Sequence, residues 1–260
     1  MQLFAAAFRL NDSETLKKRN MKKKTMILTA LASLAVLVGS CSWKFEKNYK
    51  ETDGSKVTKN YDGLAPFERI LINATCNVYY VQGDTTRVKV VATTPEVMAK
   101  TSVKSEGGCL KIRTKGWSNW RKNKTVAVYV TSPDLIEVAM HGAGQFRAEG
   151  KIDTDTLRLS MEGVGSIKIP SLICDRLQAK VAGAGSIQLS DVTAQETQLS
   201  MNGVGSIKVE NFQNSGSVHC TMEGVGSIKL GGEVQNFSNY VNGVGSIDAK
   251  DLKIKELGEQ

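Results

Sequence analysis

Two aspartates twenty residues apart, Asp155 and Asp175, are the first side chains whose type and spacing could do chemistry. Clustered carboxylates on one outer face, often with Arg or Lys beside them, serve polysaccharide hydrolysis or elimination as acid and base. The series stops there, because the next equivalent positions are Gln195 and Gly216, and solvated connector carboxylates are expected. Serines come next: Ser166, Ser186, Ser206, Ser227 and Ser246 recur at one point of a repeated phrase. A nucleophilic serine needs a histidine base. The only histidines are His141 and His219, and His219 aligns with the outward Arg158 and Gln178. No Ser/His/Asp or Cys/His set can be assembled, and no CxxC or Cys/His spacing suggests a metal. Catalytic residues, metal and cofactor are all expected to be absent.

Two other segments point to contact rather than catalysis. Trp117 and Trp120 sit with Arg121, Lys122 and further lysines in Lys115–Lys124, between two strand-like runs. Loop tryptophans stack on sugar rings or settle at lipid headgroups, and the cations suit anionic glycans or lipids. The alternative is a hairpin whose indoles cover the protein's own side. Near the start, Lys22–Lys24 precede an apolar run, Met26–Val38, and then Gly39-Ser40-Cys41. This is the layout of a secretory signal with a small-residue cleavage site. Val38-Gly39-Ser40-Cys41 fits a bacterial lipobox, so the Cys41 thiol is expected to carry lipid. Residues 1–20 are expected to lie upstream of the true start.

The element that must position everything else is a repeat. HGAGQF, EGVGSI, AGAGSI, NGVGSI, EGVGSI and NGVGSI put their first glycines at Gly142, Gly163, Gly183, Gly203, Gly224 and Gly243. The intervals are 21, 20, 20, 21 and 19 residues. So regular a period means a solenoid, whose coils bury apolar faces by stacking on one another. Before each glycine pair apolar residues alternate, as in Leu157, Leu159 and Met161; after it come pairs such as Ile167 and Ile169. Each coil therefore reads as approach strand, tight turn, exit strand and connector. The pairs Gly163/Gly165, Gly183/Gly185, Gly203/Gly205, Gly224/Gly226 and Gly243/Gly245 allow positive φ and close approach of coils. The serines that follow are expected to satisfy turn backbone. GVGS lacks the Lys-Ser/Thr of a P-loop and the aspartate of a Ca²⁺-binding nonapeptide.

Between Gly63 and Ser132 the period is also two, without a repeat. Strands are predicted at Glu68–Asn73, Asn77–Gln82, Arg87–Ala92, Cys109–Thr114 and Thr125–Thr131, with a helix over Pro95–Lys100 capped by Thr94. This region is expected to cap the open solenoid end.

The whole chain carries a net charge of +8, but residues 1–40 hold seven basic and two acidic side chains, which leaves +3 beyond them. The basic excess is mostly targeting signal, and nucleic acid is not an expected partner. After Cys41 come Cys76, Cys109, Cys174 and Cys220, with three pairings open in an exported protein. Cys76 with Cys109 is the preferred bridge; Cys220 aligns with Leu159, Ala179 and Leu199 and reads as a buried small hydrophobe.

The GxGSI turns, the stretches FERILINATCNVYYVQGD and CLKIRT, and the lipobox together resemble the putative auto-transporter adhesin, head GIN domain family, over residues 64–250. The resemblance implies a right-handed β-superhelix without catalytic residues and a role in adhesion. The expected organisation is residues 1–40 upstream extension and lipoprotein signal, 41–62 tether, 63–133 β-rich cap and 134–260 parallel β-solenoid, an all-β protein. The expected function is that of a non-enzymatic outer-membrane lipoprotein, membrane-held through Cys41, that binds a glycan or protein. The rivals are a polysaccharide-active enzyme on the same scaffold and a structural unit whose open β-ends stack into a homo-oligomer.

Overall fold

The computed structural model describes residues 56–115 and 125–255. Period-2 alternation becomes strand wherever one face is buried: in β2 (Arg69–Asn73) Ile70 and Ile72 are buried, and in β3 (Thr75–Gln82) so are Cys76, Val78 and Tyr80. A first strand, β1 (Val57–Tyr61), precedes them, so the expected tether ends before residue 57. After β4 (Arg87–Ala92) comes the helix α1 (Pro95–Lys100). Its N-cap is Thr94, whose hydroxyl accepts from Val97 N at 3.3 Å, and Pro95 takes an early position where no amide donor is needed. Strands β5 (Thr101–Glu106), β6 (Cys109–Thr114) and β7 (Val126–Ser132) follow. Of these, β5 was not anticipated; it forms a hairpin with β6 around Gly107 and Gly108, both at positive φ.

The repeats continue with β8 (Glu137–Met140), β9 (Ala143–Ala148), β10 (Lys151–Asp153) and β11 (Thr156–Met161). From there each coil is one uninterrupted strand between glycine corners: β12 (Val164–Val181), β13 (Ala184–Met201), β14 (Val204–Met222), β15 (Val225–Val241) and finally β16 (Val244–Ile254). Neighbours pair in parallel, glycine on glycine and isoleucine on isoleucine, as in Gly165↔Gly185 and Ile167↔Ile187. The protein is a β-solenoid of coils about twenty residues long. Its interior is built of stacked columns: Met140, Met161, Val181, Met201 and Met222 before the corner, Phe146, Ile167, Ile187, Ile207 and Ile228 after it, all fully buried. Each stack gains from burial what no isolated coil could.

The parallel ladder does not begin with the repeat phrase. β2 pairs with β8 and β3 with β9, both parallel, so residues 69–82 make a coil beneath the first glycine corner. β6 on β2 and β7 on β3 add another layer, still parallel. Only then does the direction change, with β5 against β6, β4 against β7 and β1 against β4 antiparallel. These strands cover the N-terminal end of the solenoid, as capping requires.

Candidate functional site

At each corner the chain must turn while staying one strand spacing, about 4.8 Å, from the coil before it. The backbone closes the turn itself: Val164 N donates to Gly142 O, Ala184 N to Gly163 O and Val204 N to Gly183 O, each at 2.9 Å. A side chain does not fit. A Cβ on Gly165 would stand 1.8 Å from the Gly144 carbonyl oxygen, and one on Gly185 2.3 Å from that of Gly165. Positive φ occurs at Gly144, Gly165, Gly205 and Gly226 but not at Gly185 or Gly245. Close approach, rather than left-handed backbone, is what the whole glycine column shares.

The turn serines are thereby released from the role expected of them. The hydroxyls of Ser166, Ser186, Ser206, Ser227 and Ser246 make no hydrogen bond among the described residues. They stand in register on the outer face of the exit strands. Two residues further along the same face runs a second column: Lys89, Tyr129, Tyr79, Arg147, Lys168, Gln188, Lys208, Lys229 and Asp248, each opposite the next. Tyr79 and Tyr129 stack with centroids 5.2 Å apart, and Lys89 Nζ lies 4.5 Å from the Tyr129 ring centre. Burial, and then the neighbouring Tyr129, push the Tyr79 hydroxyl above its ordinary pKa. Arg147 pairs with Glu149 at 3.3 Å, Lys208 with Glu210 at 2.7 Å and Lys229 with Asp251 at 3.4 Å. The hydrogen bond from Lys208, then its charge, holds the Glu210 carboxyl below the usual carboxylate range. All three pairs are exposed and contribute little to stability, so their cations remain available to an anionic ligand. The repeat alignment made Lys168, Gln188, Lys208, Lys229 and Asp248 a mixed column. It could not see Lys89, Tyr129 and Tyr79 prolonging it, because those residues come from unrepeated strands.

The connector side forms a groove of about 460 Å³ that brings Asp155 and Asp175 together with Asp134 and Asp153. Most of these acids are already engaged. Asp134 accepts from Leu135 N at 2.7 Å, Asp153 pairs with Lys151 at 2.9 Å, and Asp175 accepts from Gln195 at 2.9 Å. Gln82 clamps the groove's end by accepting from Asp153 N and donating to its carbonyl, both at 2.8 Å. Asp155 and Asp175 thus lie on the same side of adjacent coils, as their spacing implies, and the charged side chains beside them, Arg176 and Glu196, are paired with each other at 2.9 Å. Among the described residues no group of three or more His, Cys, Asp or Glu side chains could hold a metal ion.

Cys76, Cys109, Cys174 and Cys220 are all free thiols, so the Cys76–Cys109 bridge does not form. Cys76 sits at the corner of β3 and Cys109 opposite Arg69 at the start of β6. Burial pushes the thiols of Cys76, Cys174 and Cys220 up to about 12, with Asp175 adding to it at Cys174. None of the three is a nucleophile at neutral pH. His141 reaches across one coil to Glu162 at 3.0 Å, and His219 hydrogen-bonds Ser238 at 2.8 Å.

Trp117, Trp120, Arg121, Lys122 and the lipidation candidate Cys41 lie outside the described residues. What is described is where the tryptophan segment is spliced in. Arg113 opposes Asn73 and Ala127 opposes Asn77, so the chain has thirteen residues between these two positions where the next coil has three, residues 74–76.

With the coils, the corners and the fitted glycines established, the comparison with known proteins is decisive. A family profile described as "Putative auto-transporter adhesin, head GIN domain" matches residues 66–217 and 190–258. The chain belongs to this family. The matched stretch starts at the first coil, β2–β3, and ends with β16. A solved structure from Bacteroides fragilis NCTC 9343, described as a putative adhesin, is 26% identical with a TM-score of 0.64, covering 75% of this chain and 96% of that one. A second, from Parabacteroides distasonis ATCC 8503 and described in the same words, shares the fold at 15% identity and a TM-score of 0.55, covering 75% and 97%. No curated protein matches. Membership of an adhesin family points to an exported or cell-envelope protein.

Proposed function

We propose that this head GIN domain protein is a lipid-anchored, non-enzymatic adhesin of the outer membrane that holds linear anionic glycans along its exit-strand face. The observation that carries this reading is the pairing of two columns in register. Serine hydroxyls with no partner among the described residues run beside Lys168, Gln188, Lys208 and Lys229, and the outer column continues through Arg147 to the stacked rings of Tyr79 and Tyr129. A flat face on which hydroxyl and cation stand together in three of the five serine coils, Ser166 with Lys168, Ser206 with Lys208 and Ser227 with Lys229, suits a polymer whose own hydroxyls and carboxylates or sulfates repeat along its length. Tyrosine rings offer a surface for sugar stacking. Trp117, Trp120, Arg121 and Lys122 belong to the same reading, since their segment joins β6 to β7, the strand that carries Tyr129. The free acid of the connector groove favours a neutral or cationic ligand, and it is one carboxylate against a whole column.

The test is binding of alginate, a uronate polymer, against neutral dextran, with wild type and Lys168→Glu/Lys208→Glu. Alginate should bind, dextran should not, and the variant should lose tenfold or more in affinity with its melting temperature kept. Equal binding of the two polymers, or an unaffected variant, removes the proposal. Sustained release of sugar from either polymer would replace it with the enzyme reading.

A further inference from the structure

The two ends of the solenoid differ. Antiparallel strands cover the N-terminal one, whereas at the other the last coil leaves core positions open. Ile254 is 56% exposed although its partner in the coil before, Val234, is 1% exposed; Val241 is 44% exposed where Met222 is fully buried. Ile247 and Leu252 are only partly buried. The outer edge of β16 has no strand against it among the described residues. An apolar coil end with a free strand edge is the feature that soluble solenoids cover.

We infer that this end pairs with the same end of a second copy, β16 against β16 antiparallel, about a two-fold axis passing between Lys250 and Asp251. The register follows from the bend in the strand. Ile247 and Ala249 face inward before the bend, and Leu252 and Ile254 after it, so alternation slips by one at Lys250-Asp251. Antiparallel partners directly opposite each other share a face. Only a two-fold through the bend sets inward residues against inward ones: Ile247 meets Ile254 and Ala249 meets Leu252. A shift by one or two residues in either direction sets an apolar residue against a charged one. The outward residues then fall into pairs that were not used to choose the register. Asp248 meets Lys253 and Lys250 meets Asp251, each twice by symmetry, with no like charges opposed. A bend mapped onto a bend also matches the outlines of the two coils, since the exit leg of one lies on the connector leg of the other. The contact is isologous and closes on itself, which yields a dimer rather than a fibre.

Sedimentation equilibrium of the full chain in detergent tests this. Wild type should have twice the protein mass of one chain. Lys250→Asp should be monomeric, because it sets Asp against Asp251 of the other copy, and Lys250→Asp/Asp251→Lys should dimerise again. A folding defect would not be repaired by the second substitution. Ile254→Asp should also be monomeric while keeping the β-rich circular dichroism spectrum of wild type, since that side chain is exposed in the single chain. Protein ending at Lys255 should still dimerise. A monomeric wild type, a charge-swapped double variant that stays monomeric, or loss of the dimer on removing residues 256–260 overturns the inference; the last outcome would mean that those residues make the contact instead.

Discussion

Gly163 lies so close above Gly142 that a Cβ on it would stand 1.9 Å from the Gly142 carbonyl oxygen and 2.7 Å from the His141 carbonyl carbon. Both obstacles are backbone in a hydrogen-bonded ladder and cannot swing away. Gly163 is also not at positive φ, so the prohibition is purely one of space. Three substitutions separate the causes. Gly150→Ala, with nothing within 4 Å of the new carbon, should change stability by no more than about 0.5 kcal/mol. Gly107→Ala has room but a φ of +59°, and should cost about 1 kcal/mol. Gly163→Ala should cost more than about 4 kcal/mol or leave the chain unfolded. Urea titration of the three would check the order; a Gly163→Ala no worse than Gly107→Ala would refute the close-approach account.

Ala74 explains why this rule was only partly legible in the sequence. It occupies the first-glycine position of the β2–β3 coil, and Gly142 packs directly on it. Between Arg113 and Ala127, the residues that oppose Asn73 and Asn77, the sequence has thirteen residues and not three, so the fixed spacing of the repeat does not extend to the side of Ala74 and Cys76 away from Gly142 and Gly144. Residues 69–82 lack the glycine phrase, so their sequence marks them as alternating strands but not as a coil of the parallel stack. Within the repeats, coil period, inward columns and corner positions followed from spacing alone, because a parallel stack forces equivalent residues into register. The partnerless serines were not legible. Whether a hydroxyl or the neighbouring coil's carbonyl satisfies a turn amide depends on where the backbone groups point, and composition does not carry that.

The irregular intervals leave a mark of their own at Ser215. Successive corners at Gly183 and Gly203 are 20 residues apart, and the next interval is 21. The extra residue is absorbed by a bulge at Asn214, the one described non-glycine residue at positive φ, and the β13–β14 pairing slips between Val192 and Glu196. The buried Ser215 hydroxyl mends the gap, accepting from Ala194 N at 3.1 Å and donating to Val192 O at 3.1 Å. Ser215→Ala should therefore cost about 1–3 kcal/mol, since it strands a buried amide and a buried carbonyl. Ser217→Ala, on an exposed neighbour, should cost almost nothing. Equal urea midpoints for the two variants would contradict this role.

The buried thiols give a pH signature. Cys76, Cys174 and Cys220 are held near 12 in the folded protein against an ordinary value of 9.0. The raised value belongs to the protonated, neutral form, so the unfolded chain releases these protons first. Their contribution to stability is whole below pH 9 and is lost as the pH climbs from 9 towards 12. Melting temperature should fall across that window, and less steeply in Cys220→Ala once corrected for the cavity. At pH 8 a maleimide should label Cys109, the half-exposed thiol, and spare the other three until urea is added. Rapid labelling of Cys220 in the native state would show that the core opens there.

Anchoring separates the role of Cys41 from that of the solenoid. If the thiol carries lipid, Cys41→Ser should move the protein from the membrane fraction to the soluble one, because a side chain without acyl groups has no apolar surface to bury in a bilayer. The repeat body should be unaffected, since Cys41 precedes the first described strand by sixteen residues in the sequence: melting temperature and alginate affinity should match wild type. Metabolic labelling with a palmitate analogue checks the covalent step directly, with label expected on wild type and none on Cys41→Ser. Membrane retention of the unlabelled variant would assign the attachment to the apolar run Met26–Val38, acting as an uncleaved anchor. Accessibility of the Lys168 face to a membrane-impermeant amine reagent on intact cells would then report on which side of the membrane the solenoid meets its ligand.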